Sequence, residues 1–255
     1  MKYAQLIIGL LAGTAIGGSV VASTGAPAAM VGGDSESVKK IVREVIMAEP
    51  KLILDSVQKF QMDQQKQQAA GASEVLKDPA IRELVFNDKN AAHHGPKDSK
   101  RVVVEFFDYN CGACKMMFKS IDQLVQKDKT VRVVFHEYPI FGPVSDANSK
   151  LGFAVNRLYE DKYYDFHTKL MTHEGRVDEK IVLGYAKELG MDAEKLKAEA
   201  AKKEVADLLV AARDLGQKLN IQGTPTHVIG EELVPHGMSF EDLEARVNAA
   251  YSEKK

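Results

Sequence analysis

Hydrophobic positions follow two different patterns along this chain, continuous runs and helical spacing. Residues 101–107 and 131–138 are nearly continuous runs of β-branched and aromatic side chains, which predicts two strands that are buried on both faces. Between them, residues 111–127 place apolar side chains at helical spacing. The order strand, helix, strand therefore predicts a βαβ unit.

The rest of the chain is predicted to be mainly helical. Two prolines interrupt the pattern after the second strand, and the apolar spacing then predicts four consecutive helices, at residues 146–159, 163–171, 178–189 and 192–219. A hairpin-like strand pair at residues 226–230 and 232–235 and an amphipathic helix at residues 240–251 complete the chain. Before the first strand we expect a short helix at residues 73–86 and a loop at residues 87–100.

Two further amphipathic helices are predicted near the start of the chain. Asp34 or Ser35 can cap the first helix, and Pro50 ends it and can form the first turn of the second. Each helix carries an apolar stripe, which consists of Val38, Ile41, Val42, Val45 and Ile46 in the first and of Leu52, Ile53, Leu54, Val57, Phe60 and Met62 in the second.

These stripes must be buried, either against their own domain or against the same segment of another subunit. The Gln-, Ala- and Gly-rich stretch at residues 64–73 predicts a hinge or an extended helical arm that separates the stripes from the core. We therefore favour self-association through residues 35–68, with residues 34–72 as an N-terminal helical oligomerisation segment and linker. Packing within the same chain is the alternative.

The first residues are typical of an exported protein. A mostly uncharged, glycine-rich stretch at residues 6–21 is followed by small residues that fit cleavage after Ala22, or as late as Ala28. We expect a signal peptide at residues 1–22. An uncleaved membrane anchor is the alternative, since residues 3–22 come close to the ~20 residues that span a bilayer. In both cases the rest of the chain is exported, and we expect it in the periplasm, free or attached to the membrane.

The charge excludes one class of partner. The chain has 34 basic and 36 acidic side chains, and loss of Lys2 with the signal peptide leaves a net charge of about −3. Because nucleic-acid binding requires a basic surface, we expect no nucleic-acid partner.

The candidate chemistry is concentrated at Cys111 and Cys114, the two cysteines of the chain. They follow the first predicted strand and open the next helix. A thiol in the first turn of a helix faces unpaired backbone N–H groups and the positive end of the helix dipole, which favours the thiolate. We therefore expect Cys111 to be the nucleophile, and Cys114 to attack the mixed disulfide that Cys111 forms.

Other roles for this pair are more limited. Two cysteines provide neither a disulfide framework nor a four-thiolate zinc site within one chain. A copper or zinc half-site is the alternative, and it would need further ligands such as His93 and His94. We expect no metal and no other cofactor.

Two segments of the chain resemble a known family. They are Glu105-Phe106-Phe107-Asp108-Tyr109-Asn110-Cys111-Gly112-Ala113-Cys114 and Gly223-Thr224-Pro225-Thr226. With them the chain resembles the DsbA branch of the thioredoxin superfamily, and more closely its Com1-like and ScsC-like group of exported proteins with N-terminal oligomerisation helices. The resemblance implies an α/β thioredoxin fold at residues 73–255, with a helical domain inserted at about residues 144–219.

Glu105 interrupts an otherwise apolar strand, where we expect a carboxylate to be buried with a raised pKa. It matches the glutamate that the family keeps under its active site, which implies proton exchange with Cys114. The alternative is that alternation along the strand exposes Glu105 to solvent.

Pro225 matches the family's cis-proline, and the alternative is an ordinary trans turn. The resemblance implies that Thr224 and Pro225 present backbone groups to an extended substrate peptide, and that Thr224 hydrogen-bonds the Cys111 sulfur. We expect His227, on the strand that follows, to be structural. An apolar apron for unfolded clients is predicted around the thiols, from Phe106, Tyr109, Met116, Met117 and Phe141, although core packing is the default for Phe106 and Met117.

The two residues between the cysteines are expected to tune the redox equilibrium. Gly112 and Ala113 lie beside the substrate and add no charge and no side-chain donor, whereas strongly oxidising relatives carry a histidine there. We therefore expect a milder oxidant.

The favoured function is an exported protein thiol–disulfide oxidoreductase that forms or isomerises disulfides in secreted proteins, as a homodimer. Its expected partners are unfolded or misoxidised exported proteins and a membrane redox protein of the DsbB or DsbD type. A monomeric disulfide oxidase and a copper-binding thiol protein are the alternatives.

Overall fold

The computed structural model of this chain describes residues 35–252. The predicted signal peptide lies outside the described residues. The chain divides into two compact units between Ile53 and Leu54, and the predicted functional division at residues 72 and 73 stays a prediction.

The first unit contains α1 (Ser35–Ala48) and the beginning of α2 (Pro50–Val75). Pro50 occupies the first position of α2, where its missing N–H is not needed for helical hydrogen bonding. No residue of α1 is buried. The predicted stripes are therefore on the surface of this chain, with Ile41 59% and Leu54 68% exposed.

The second unit is built on a five-stranded sheet of order β1-β3-β2-β4-β5. Its strands are β1 (Ala92–His94), β2 (Arg101–Phe107), β3 (Val131–Glu137), β4 (Thr226–Ile229) and β5 (Glu232–Val234). Strands β2 and β3 are parallel and are joined by α4 (Gly112–Lys127), which confirms the βαβ unit. The other neighbouring strands are antiparallel. Strand β1 corrects the prediction of a continuous loop at residues 87–100, because three residues are too few to show a period.

Helices cover both faces of the sheet. They are α3 (Pro79–Phe86), α5 (Pro143–Leu158), α6 (Tyr163–Thr172), α7 (Glu179–Glu188), α8 (Ala193–Ala200), α9 (Lys203–Lys218) and α10 (Phe240–Tyr251), with a 3₁₀ turn at Glu160–Lys162. The predicted single helix at residues 192–219 is wrong, since extended backbone at Lys202 separates α8 from α9. Both helices contact α5, and α9 also reaches α3 and β3, which one straight helix would not do.

Alternate residues of β2 enter two different cores. Val102, Val104 and Phe106 pack with α9, whereas Val103 and Phe107 pack with α4 and α6. Burial on both faces explains the nearly continuous apolar sequence. The same alternation places Glu105 on the α4 face of the sheet.

The C-terminal part of α2 belongs to the second unit and packs there. Ala72 is fully buried, and the Gln68 amide donates a hydrogen bond to the Asn220 carbonyl at 2.8 Å. Residues 64–73 are thus helical rather than a hinge. Within residues 35–252, no helix is both long enough and apolar enough to cross a lipid bilayer. The architecture is the predicted α/β fold, with helices inserted between β3 and β4.

Candidate active site

Cys111 caps α4, just beyond the end of β2. Its backbone is extended, with φ −82° and ψ 112°, and its sulfur accepts a hydrogen bond from the Cys114 N–H at 3.3 Å. The sulfur therefore takes the place of the side-chain oxygen that usually caps a helix, and it lies at the positive end of the helix dipole. Cys111 and Cys114 are both free thiols.

The surroundings of Cys111 favour the thiolate. A hydrogen bond from the Cys114 thiol, supported by the backbone N–H groups of Cys114 and Ala113, lowers the pKa of Cys111 to about 6. These donors outweigh the opposite effect of burial. Cys111 is consequently mostly ionised at neutral pH, which is the form that attacks a disulfide.

The surroundings of Cys114 have the opposite effect. Burial raises the pKa of Cys114 far above its ordinary value, and the hydrogen bond to Cys111 and the charge of Glu105 raise it further. Its side chain is fully inaccessible, whereas Cys111 is 4% exposed. The geometry thus gives the two thiols different chemical character.

The Thr224-Pro225 peptide bond is cis. The turn before β4 brings the Thr224 carbonyl to 3.3 Å from the Cys111 sulfur, which donates a hydrogen bond to it in the thiol form. The predicted hydrogen bond from Thr224 to the sulfur is therefore replaced by one to its carbonyl, and the Thr224 hydroxyl has no hydrogen-bond partner among residues 35–252. The Thr226 hydroxyl donates to the Gly223 carbonyl at 2.8 Å and ties this turn together. Both predicted segments therefore meet, although 113 residues separate Cys111 from Thr224.

Glu105 is fully buried, so the alternative of a solvent-facing side chain is wrong. Neither of its carboxylate oxygens has a hydrogen-bond partner among residues 35–252. Nε2 of His227 lies 3.7 Å from Oε1 of Glu105. Sequence reasoning missed this neighbour, because only the pairing of β2 with β4 brings the two residues together.

Asp108 was also missed as part of the site. Its carboxylate accepts hydrogen bonds from the backbone N–H groups of Asn110, Ile140 and Phe141 and from the Ser145 hydroxyl. It therefore joins the turn before Cys111 to the loop after β3 and to α5. An aspartate between an apolar strand and a helix was the available signal in the sequence.

Asn110 adds a second connection to the same turn. Its side-chain amide donates to the Val177 carbonyl at 3.1 Å, and its carbonyl accepts from the Val177 N–H at 2.8 Å. The loop before α7 is thereby held against the residue that precedes Cys111.

The predicted apolar apron is only partly exposed. Met116 is 68% and Phe141 50% exposed, and Ile140, which was not predicted, is 42% exposed. Phe106 and Met117 are core residues. Tyr109 is also buried, because its hydroxyl donates to the Glu137 carboxylate at 2.8 Å.

Metal binding was the alternative prediction for Cys111 and Cys114. Across residues 35–252, no group of three or more His, Cys, Asp or Glu side chains is placed to hold a metal ion.

A thiolate helix cap, a buried second thiol and a neighbouring cis-proline turn on an α/β fold define a thiol–disulfide oxidoreductase of the DsbA and ScsC type. The sequence model of a thioredoxin family matches residues 87–249, and the chain belongs to this family.

Individual proteins support this assignment. Disulfide bond formation protein D of Bacillus subtilis (strain 168) is 27% identical over 168 residues, which cover 60% of this chain and 73% of that protein. A thioredoxin-like oxidoreductase from Silicibacter pomeroyi DSS-3 is 37% identical, with a TM-score of 0.62 over 66% of this chain and 96% of that one. The catalytic domain of Proteus mirabilis ScsC is 25% identical, with a TM-score of 0.63 over 70% of this chain and 97% of that one.

Proposed function

We propose that this oxidoreductase is exported to the periplasm and forms and isomerises disulfides in secreted proteins, as a homodimer. The observation that carries the proposal is the Cys111 sulfur at the start of α4, which accepts a hydrogen bond from the Cys114 N–H, next to the fully buried thiol of Cys114.

The reaction starts when the Cys111 thiolate attacks a client disulfide. A mixed disulfide forms, and the second client sulfur leaves as a thiolate. In isomerisation this client thiolate attacks another disulfide of the client, and a later client thiolate releases Cys111. When that fails, Cys114 attacks the Cys111 sulfur, which releases a reduced client and leaves a Cys111–Cys114 disulfide. Oxidation of a client is the same sequence in reverse.

Glu105 accepts the Cys114 proton in this proposal. Its charge contributes to the raised pKa of Cys114, so transfer of the thiol proton to the carboxylate removes the negative charge that opposes the Cys114 thiolate.

The client binds over a surface formed by Gly112, Ala113, Thr224 and Pro225. Small residues between the cysteines leave access to the Cys111 sulfur, and the backbone beside the cis-proline pairs with an extended client segment. The exposed side chains of Met116 and Phe141 contact apolar client residues. Because Gly112 and Ala113 provide no side-chain donor to the thiolate, the protein is a milder oxidant than relatives with a histidine there.

Self-association uses the exposed stripes of α1 and α2. Apolar side chains such as Val42 and Phe60, 51% and 64% exposed in one chain, become buried against a second copy. Two active sites can then act on one trapped client, which favours isomerisation. A membrane protein of the DsbB or DsbD type restores the redox state of Cys111 and Cys114.

Refolding of a protein with scrambled disulfides tests this function. Wild-type protein should restore client activity, and Cys111→Ser should abolish the effect. Ile41→Gln with Val45→Gln removes part of the α1 stripe, so this variant should sediment as a monomer and lose most of the isomerase activity. Lys40→Gln with Arg43→Gln alters the other side of α1 and should remain a dimer. Full activity in the monomeric variant would show that isomerisation does not need self-association, and a monomeric wild-type protein without this activity would instead indicate the simple oxidase.

A further inference from the structure

A histidine faces the buried carboxylate beneath the active site. His227 pairs directly with Glu105 across the antiparallel strands β4 and β2. Residues directly opposite each other in such a pair project from the same face of the sheet. Both side chains are fully buried, and His227 Nε2 lies 3.7 Å from Glu105 Oε1.

The polar atoms of both side chains lack hydrogen bonds. Neither the carboxylate oxygens nor the ring nitrogens have a hydrogen-bond partner in the part of the chain that the structure describes. Burying a polar group without a partner is unfavourable, and burying a lone charge much more so. An apolar side chain would fill the space at position 227 without this penalty, so packing alone does not explain the imidazole.

The charges of Cys114, Glu105 and His227 together determine how the imidazole can affect the proton transfer. When Cys114 gives its proton to the Glu105 carboxylate, one negative charge moves from oxygen to sulfur. With a protonated His227 beside them, the three side chains sum to zero before and after the transfer. Without that proton, the buried cluster carries a net charge of −1 throughout, which its surroundings do not solvate.

We propose that His227 is a positioning residue that holds a proton against Glu105 and so keeps the buried cluster neutral while Cys114 becomes a thiolate. The inference rests on the proton-accepting role of Glu105 proposed above. His227 acts through Glu105 and does not touch the client.

Three titratable side chains of α6 keep a single charge state near neutral pH. Burial chiefly raises the pKa values of Tyr163 and Tyr164, with further contributions from Glu137 and Asp122 respectively, so both stay uncharged. Burial lowers the pKa of His167 to about 3, so its ring stays neutral.

Two further titratable groups lie on α10 and β3, which both contact β2. Helix α10 contributes Tyr251, whose hydroxyl donates to the Val102 carbonyl at 2.7 Å. On β3, burial raises the pKa of Glu137 to about 8. The pH dependence of the site is therefore best compared below about pH 8.

Mixing reduced protein with excess dithiobis-nitrobenzoate separates the two thiol steps. A first thionitrobenzoate anion leaves when the Cys111 thiolate attacks the reagent, and a second leaves when Cys114 attacks the resulting mixed disulfide. At neutral pH, His227→Gln should slow the second phase about tenfold and move its pH profile about one unit upward, with the first phase unchanged. Glu105→Gln should slow the second phase by more, and the double variant should match Glu105→Gln.

A matched control separates this effect from loss of packing. His136 is a buried histidine of β3 whose ring contacts Phe106, and His136→Gln should leave both phases unchanged. A normal second phase in His227→Gln, with a slow one in Glu105→Gln, would overturn the role of His227 but not that of Glu105. Normal second phases in both variants would overturn both roles. Independent, additive slowing in the double variant would also overturn the coupling.

A measurement on the intact chain covers the case in which His227→Gln does not fold. Imidazole NMR shifts of His227 should report a protonated ring in the reduced protein at neutral pH and a change of its titration in Glu105→Gln. A ring that stays neutral in the reduced protein at neutral pH would overturn the proposal.

Discussion

At the level of single residues, two thiols of one helical turn have opposite acidities. The Cys111 sulfur receives hydrogen bonds at the helix start, whereas Cys114 is buried beside a carboxylate. The lowered pKa of Cys111 stabilises the reduced folded protein at pH values above the ordinary thiol pKa. This contribution is lost as the pH falls through about 6.

Alkylation of Cys111 as a function of pH tests this difference. The rate in reduced wild-type protein should rise with a midpoint near pH 6, because the thiolate is the reactive form. Cys114→Ala removes the largest favourable contribution, so the midpoint should move upward in that variant. A wild-type midpoint near 9.0, the ordinary value, would contradict the geometry of the cap.

A second buried carboxyl lies at the end of β3. Glu137 accepts hydrogen bonds from the hydroxyls of Tyr109 and Tyr163, at 2.8 and 3.3 Å, and burial raises its pKa to about 8. Gly152 provides the space, since a Cβ atom there would collide with the Glu137 carboxylate. Tyr109 lies two residues before Cys111, so this cluster also supports the active-site turn.

The raised pKa of Glu137 makes folding pH-dependent. Between the ordinary pKa of 4.5 and about 8, folded Glu137 holds a proton that the unfolded chain has lost. The free energy of unfolding should therefore fall as the pH rises through this range, by about 1.4 kcal/mol per pH unit.

Glu137→Gln keeps the shape and an acceptor but cannot ionise. The pH dependence that residue 137 contributes to the free energy of unfolding should vanish, and the variant should be more stable than wild type near pH 8. Denaturant unfolding at about pH 5 and about pH 8 measures both quantities. Identical pH dependence in the two proteins would show that Glu137 is ionised in the fold.

At the level of elements, the active site depends on a turn that is held by one carboxylate. Asp108 accepts four hydrogen bonds from groups in its own turn, the loop after β3 and α5. In Asp108→Asn, one carboxylate oxygen becomes an NH₂ group that cannot accept. The donors on that side lose their partner, at a cost of about 1–3 kcal/mol.

Hydrogen exchange can locate this loss. If the NH₂ group replaces Oδ2, the Ile140 and Phe141 amides should exchange about ten to a hundred times faster, and if it replaces Oδ1, the Asn110 amide should. Amides of α10 serve as the control, since this helix does not contact Asp108. Unchanged protection at all three amides would show that other contacts hold the turn.

Element boundaries also show where sequence patterns stop being sufficient. The strand at 101–107 and the helix at 240–251 have the predicted bounds, because the first is a continuous apolar run, the second has a clear helical period, and both have clear end signals. The break at Lys202 carries no proline or glycine. It is set by the packing of α8 and α9 on different partners, which local sequence does not encode.

At the level of the whole molecule, self-association through the exposed apolar stripes of α1 and α2 would make stability depend on protein concentration. If a second copy covers them, dilution should dissociate the dimer and reduce the helical content of these segments. Circular dichroism over a dilution series measures this. Ile41→Gln with Val45→Gln should show low helicity at every concentration, whereas Lys40→Gln with Arg43→Gln should follow wild type. Concentration-independent helicity in all three proteins would argue against self-association.

The sequence by itself was enough to predict the order of the main helices and strands, the α/β fold and the two cysteines at a helix start. These follow from local periodicity and from the chemistry of a helix end, which neighbouring residues determine. Only the tertiary structure decided that the Thr224 carbonyl contacts Cys111, that Glu105 faces His227 and that Tyr109 is buried on Glu137. These contacts join residues distant in sequence, so they depend on strand register and helix packing rather than on any local pattern.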